Sequence, residues 1–168
     1  MNKIKPSRLW AWAVFISAGS LLLAFDLWVK HWAAVNMRGQ PPRVLIDGFL
    51  GLTYHENPGA AFGMLAGFGW GRWFLTIFNS LVLLGIIWYY NRLPLERRYW
   101  FMRVPLILMF VGGLGNLVDR VHLGVVRDML EFLFMNFAIF NMADVYITSG
   151  TVALMFVCLF IVKDFPFP

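Results

Sequence analysis

Four stretches of this chain, 9–25, 73–90, 104–118 and 145–162, run for 15 to 18 residues without one charged side chain. A helix needs about 20 mostly apolar residues to cross the hydrocarbon of a bilayer. Each stretch reaches that length by taking in its flanks: the first continues past Asp26 to Val29, the third back over Arg103 to Tyr99, the fourth back toward Asn141. Spans are therefore expected at about 9–29, 72–91, 99–118 and 141–162, with Trp or Tyr near several ends, as in an interfacial belt. The chain is 60% apolar and only 14% charged, against roughly 25% charged in an ordinary soluble domain. An interior built from 168 residues cannot hide that much apolar surface. A soluble globular protein and a disordered chain are excluded on these grounds, and a single Cys excludes a disulfide scaffold. The expected fold class is an all-α polytopic membrane protein with four transmembrane helices, one domain over 1–168.

The stretch 129–162 is apolar apart from Glu131 and Asp144, too long for one span and too short for two. Residues 129–140 are read as packed or dipping at the outer interface, so that the fourth span starts near Asn141. Lys3, Lys5 and Arg8 before an apolar run imitate a secretory leader. The run is long and carries Asp26, so an uncleaved first span is expected. The tail, the connector between spans two and three and the C-terminus hold eight bases and two acids, net +6. The other side holds six bases and seven acids, net −1. By the positive-inside rule both termini are cytoplasmic. The overall +5 is a topology signal and implies no nucleic-acid partner.

Two outer segments follow, about 35–71 and 119–140. Val44-Leu45-Ile46, Asp47-Gly48 and 49–54 read as a hairpin around an Asp-Gly turn, the start of a small extracytoplasmic sheet. Gly59-Ala60-Ala61-Phe62 reads as the start of a short amphipathic helix.

Ionisable groups within spans are expensive and are functional candidates by default. Here they gather at the outer ends of the spans. Asp26 and Lys30, four apart, share a helix face and are expected to form an ion pair near the interface. Gly112, Gly113 and Gly115 allow close helix approach, with an added role in bringing the backbone near a bound peptide. Asn116, Asp119 and Arg120 fit a polar clamp on a peptide, or else a structural pair of Asp119 with Arg120 or a lipid phosphate contact, and the residues alone leave these readings open. Asn141 and Asp144 have the spacing of a helix N-cap and its third residue. Asp128 is a second acid for the same face. Two carboxylates sharing a low-dielectric site cannot both ionise easily, so one keeps its proton, the arrangement with which aspartic proteases activate water.

Other chemistries lack a signal. His31, His55 and His122 lie far apart, with no zinc-binding spacing. His31 is expected at the interface, His55 and His122 in loops. The serines sit in apolar helix or the basic tail, and Cys158 in the last span reads as a packed thiol. No phosphate-binding glycine loop is present.

The motifs together resemble the bacterial lipoprotein signal peptidases (signal peptidase II). The resemblance covers nearly the whole chain. It rests on Asp26 with Lys30, Asn57-Pro58-Gly59-Ala60-Ala61-Phe62, the run from Gly112 to Arg120, Val126-Arg127-Asp128, and Phe140-Asn141-Met142-Ala143-Asp144. It implies an intramembrane aspartic endopeptidase of the bacterial inner membrane, with its site at the outer face. This enzyme would remove signal peptides from prolipoproteins just before the diacylglyceryl-modified Cys. It assigns the catalytic pair to Asp128 and Asp144, a choice over Asp119 that the residues alone do not make. It places Asn57, Gly59, Asn116, Arg120, Asn141 and Ala143 at the substrate, and Asp26, Lys30 and Asp119 in structural support. It implies an outer β-cradle, no metal or organic cofactor, contact with membrane lipid, and inhibition by peptide antibiotics of the globomycin type. Leu27, Pro58 and Arg127 depart from the family's usual residues; Arg127 is expected to snorkel toward lipid headgroups. The rival readings are a small proton-coupled carrier and a non-enzymatic membrane-assembly subunit.

Overall fold

The computed structural model describes residues 7–59, 64 and 67–162. Four long helices, α1 (Arg8–Met37), α2 (Gly71–Arg92), α3 (Trp100–His122) and α4 (Met142–Phe156), alternate with three strands. The strands are β1 (Arg43–Ile46), β2 (Leu50–Asn57) and β3 (Val126–Phe132). A π-helical turn, Val157–Ile161, extends α4, and a short 3-10 turn, Arg97–Tyr99, leads into α3. All four helices are long and apolar enough to cross a membrane. Their outward faces carry exposed Leu21, Ile77, Leu84, Val152 and Phe160, an inside-out pattern that suits lipid rather than water. The expected spans fall on these helices, but α1 runs on to Met37 and α3 to His122, because their polar ends stay helical.

Helix α1 starts on Ser7, whose hydroxyl accepts from the Trp10 N–H. Helix α3 is the central element, packing on α1, α2 and α4. Its glycines make this possible. A Cβ on Gly112 would collide with the Ala143 carbonyl and Ile147 of α4. One on Gly113 would stand 2.8 Å from Leu83 of α2, and one on Gly115 would collide with the Asp26 carboxylate of α1. Three neighbouring helices thus occupy the glycine faces, which leaves no room there for a bound peptide and corrects that part of the sequence reading. At the α2–α3 turn, Arg103 is buried and donates to the carbonyls of Tyr90 (3.1 Å), Leu93 (2.9 Å) and Pro94 (3.4 Å), capping α2.

The sheet is antiparallel in the order β1-β2-β3. The hairpin turns at Asp47-Gly48, where Gly48 takes φ +65. Strand β3 was not anticipated. Residues 129–140 do not simply dip at an interface: the first four end β3, and the rest return so that Phe140 bridges Leu130. The pairing aligns His55 with Asp128 and Asn57 with Val126, so His55 lies in a strand, not a loop. His122 is the last residue of α3. The amphipathic helix expected to start at Gly59-Ala60-Ala61-Phe62 lies, beyond Gly59, outside the described residues.

Candidate active site

The last turns of α3, the N-terminus of α4, the middle of α1 and the paired ends of β2 and β3 converge at one end of the bundle. Asn116, Asp119 and Arg120 are three and four residues apart, so one helix face presents all three. Asn141 caps α4: its side chain accepts from the Asp144 N–H (3.1 Å), and the Asp144 carboxylate accepts from the Asn141 N–H (3.1 Å). This reciprocal box fixes the Asp144 side chain at a helix N-terminus, where the dipole favours negative charge.

Asp128 enters from β3 and is buried. Its Oδ1 accepts from Asn141 Nδ2 at 2.6 Å and its Oδ2 from Asn57 Nδ2 at 3.3 Å. Asn141 therefore binds both carboxylates at once, Asp128 through its side chain and Asp144 through its backbone. Burial pushes the Asp128 carboxyl up, the Asp144 charge raises it further, and it titrates at about 7. Hydrogen bonds from Asn141 and Asn57 partly oppose the rise.

A second layer holds this pair. Lys30 and Asp26 are fully buried, with Nζ 3.0 Å from the carboxylate. Lys30 also donates to Asn116 Oδ1 at 2.9 Å and lies 3.9 Å from Asp119. Asp26 accepts from the Ala143 N–H at 2.9 Å. The ion pair expected from the spacing is present, and its further contacts make it a tie between three helices. Asn116, its oxygen held by Lys30, turns its Nδ2 to Asp144 at 2.8 Å. Arg120 donates to the Gly59 carbonyl at 3.1 Å, and the Gly59 N–H donates to Asn57 at 2.9 Å. Among the described residues, the Nε of Arg120 is buried without a hydrogen-bond partner.

A cavity of about 590 Å³ opens on this cluster. Asn57, Asn116, Arg120, Asp128 and Asp144 line its polar end. Phe132, the segment 137–140 and the face of α4 from Val145 to Val152 form an apolar wall. Among the expected substrate residues, Gly59, Asn141 and Ala143 do not line the cavity; Asn141 and Ala143 are fully buried, the Ala143 Cβ packed toward Gly115. Asp119 also stays off the lining, and its partner is Arg127, not Arg120. Arg127 donates to it from its backbone N (3.0 Å), Nε (3.1 Å) and Nη2 (2.6 Å). The expectation that Arg127 reaches toward headgroups is therefore wrong, because a buried carboxylate eight residues earlier outcompetes the interface for its fork. Sequence reading also missed the aromatic wall and Arg72 of α2, which donates to the carbonyls of Arg120 and Val121 (both 3.1 Å) and so fixes the backbone that carries Arg120. Among the described residues no group of three His, Cys, Asp or Glu stands close enough to bind a metal ion.

The model of a family described as "Signal peptidase (SPase) II" matches residues 19–160. The chain belongs to the signal peptidase II family. It is 40% identical over 136 residues to a lipoprotein signal peptidase of Streptococcus thermophilus (strain CNRZ 1066), covering 81% of this chain and 86% of the relative. It is 38% identical over 148 residues to that of Latilactobacillus sakei subsp. sakei (strain 23K), covering 88% and 91%. A solved chain described as "Bacterial membrane enzyme structure by the in meso method at 2.3 A resolution" superposes with a TM-score of 0.77 at 29% identity, over 90% of each chain. A second solved chain, at 30% identity, gives 0.75 over 91% and 95%. The chain is thus a signal peptidase of type II and a multi-pass membrane protease, and the carrier and assembly-subunit readings are not favoured.

Proposed function

We propose that this signal peptidase II is an aspartic endopeptidase. It removes signal peptides from diacylglyceryl-modified prolipoproteins, cutting before the lipidated Cys. The observation that carries the reading is the shared grip of Asn141 on Asp128 and Asp144 at the polar end of an apolar cavity. Asp144, at the helix N-terminus and facing Asn116, is the ionised base. Asp128, buried and titrating at about 7, holds the proton.

The steps balance without a further reagent. Water attacks the scissile carbonyl carbon as Asp144 takes its proton and Asp128 gives its own to the carbonyl oxygen. The resulting gem-diol collapses: the C–N bond breaks, Asp144 returns a proton to the leaving amine, and a hydroxyl proton goes back to Asp128. Asn57, Gly59, Arg120 and Asn116 orient the peptide, with Arg120 Nε a buried donor open to a substrate carbonyl. The wall from Phe137 to Phe140 and along α4 suits an apolar peptide or acyl chain.

The distribution of basic residues supports cytoplasmic termini and, with them, a sheet and dyad on the outer side of the bacterial inner membrane. Globomycin-type peptides, apolar and cyclic, are expected to occupy the same cavity. The test is cleavage of a purified lipidated prolipoprotein by the Asp128→Asn and Asp144→Asn variants, each checked for helix content. Loss of cleavage in both folded variants is expected, and turnover by either would overturn the mechanism.

A further inference from the structure

Strand β3 reaches the site through a short turn: α3 ends at His122, Gly124 takes φ +83, and β3 begins at Val126. Immediately before Asp128, three donors of Arg127 converge on the Asp119 carboxylate, which is 1% exposed. A two-pronged guanidinium–carboxylate contact fixes angle as well as distance. The added backbone N–H fixes the strand itself. Asp119 lies 3.9 Å from Lys30, Lys30 donates to Asn116, and Asn116 donates to Asp144. One end of this chain of contacts is the residue joined to Asp128, and the other is the carboxylate of Asp144. Glu56, opposite Arg127 across the ladder, is engaged by Arg38 and the Tyr54 hydroxyl.

We infer that Arg127 is a positioning residue for the cleavage reaction, holding Asp128 in its place relative to Asp144 by gripping Asp119. This rests on the two-aspartate reading above. Besides the ladder to β2, no neighbouring side chain of β3 repeats the grip: Val126 and Met129 carry no donors beyond the backbone.

The groups that face Asp128 are Asp144 from α4, Arg120 from α3, Lys30 from α1 and His55 across the ladder from β2. Burial and the Asp144 charge raise its titration, and Lys30 opposes the rise. With the grip released, β3 moves off Asn141, water reaches the carboxyl, and its value falls toward the ordinary range. The basic limb of kcat/KM falls with it. A merely structural loss reduces the amount of working enzyme and leaves that limb in place.

The experiment measures kcat, KM and the pH profile of Arg127→Gln and Arg127→Lys on a lipidated prolipoprotein peptide in bilayer discs. Arg127→Gln should lower kcat by about tenfold or more, keep KM within about twofold, and move the basic limb down by about half a pH unit. Arg127→Lys keeps the charge but loses the fork, and should fall between the two. If Arg127→Gln does not fold, Arg127→Lys carries the test alone, with a shift of the same sign. Asp128→Asn and Asp144→Asn run alongside. Activity in either sinks the two-aspartate reading itself. Inactivity in both, with wild-type kcat and limb in the Arg127 variants, overturns the positioning role and leaves that reading standing. A fall in kcat with an unmoved limb also overturns it.

Discussion

Arg103, where α2 turns into α3, is 2% exposed and faces three backbone carbonyls and the rings of Tyr90 and Trp100. At the opposite end of the bundle, Asp26, Asp119 and Asp128 are buried as deeply, but among amides and other charges. Both ends hide charge from lipid, and they do so by different means. Arg103 donates from its Nη atoms to carbonyls and lies over ring faces, its Nε has no hydrogen-bond partner among the described residues, and a guanidinium has no proton to exchange. Asp128, joined to Asp144 through Asn141, is driven by burial first and by the Asp144 charge second to titrate in the range where proteins work. The lesson is that buried charge alone does not mark a reactive site in a membrane bundle. Like charges brought under shared donors do.

The widest gap between the ends should appear in the acid pair. Asp128→Asn and Asp144→Asn are expected to lower cleavage by about 10³–10⁴-fold with the fold retained, since each removes one partner of a proton exchange. Asn141→Ala removes the side-chain donor to Asp128 and the cap on the Asp144 N–H, while its backbone N–H to Asp144 remains, and should cost about 10²-fold in kcat, measured in the same assay. A third test is the pH profile. As pH rises through about 7, Asp128 loses its proton and both acids become charged, so kcat/KM should fall there. Asn57 stabilises the charged form of Asp128, so Asn57→Ala should move that limb upward. The same linkage acts on the fold. The folded carboxyl is raised above its unfolded value, so the stability tied to it is full at acid pH and is lost as pH rises toward 7. Thermal unfolding of Asp128→Asn should lack that slope. The smallest effect on chemistry is expected at the other end. Arg103→Met strips the carbonyls at the end of α2 of their donors and should lower stability by about 1–3 kcal/mol. The kcat per folded molecule should stay within about twofold. A large loss of kcat in folded Arg103→Met would break the comparison.

Much of this molecule was legible in one chain of letters. The charge-free stretches mark the helices because lipid leaves the backbone few alternatives. Asp47-Gly48 marks the hairpin because an L-residue rarely takes the conformation that Gly48 does. The spacing of Asn141 and Asp144 marks the capping box at the start of α4. Strand β3 was not legible: Arg127, Asp128 and Glu131 interrupt any alternation, since their positions answer to Asp119, Asn141 and Thr53 and not to a solvent face. Which of Asp128 and Asp119 lines the cavity was also beyond local pattern. It depends on which of the two buried acids is already held by an arginine, and that is decided only when β3 folds back along β2. The fully buried Ala143 shows the converse, a motif residue whose place is in the packing between α3 and α4.

The apolar wall of the cavity follows α4 from Val145 to Val152, two turns of helix and about 10 Å along its axis. A pocket built along a membrane helix draws from the film of lipid around it. Encounter then happens in two dimensions, and the relevant concentration is substrate per lipid, not substrate per litre. Diluting a fixed amount of lipidated substrate with inert lipid or detergent should slow turnover even when its bulk concentration is unchanged. Michaelis constants for this chain are therefore best expressed as mole fractions of the surrounding amphiphile.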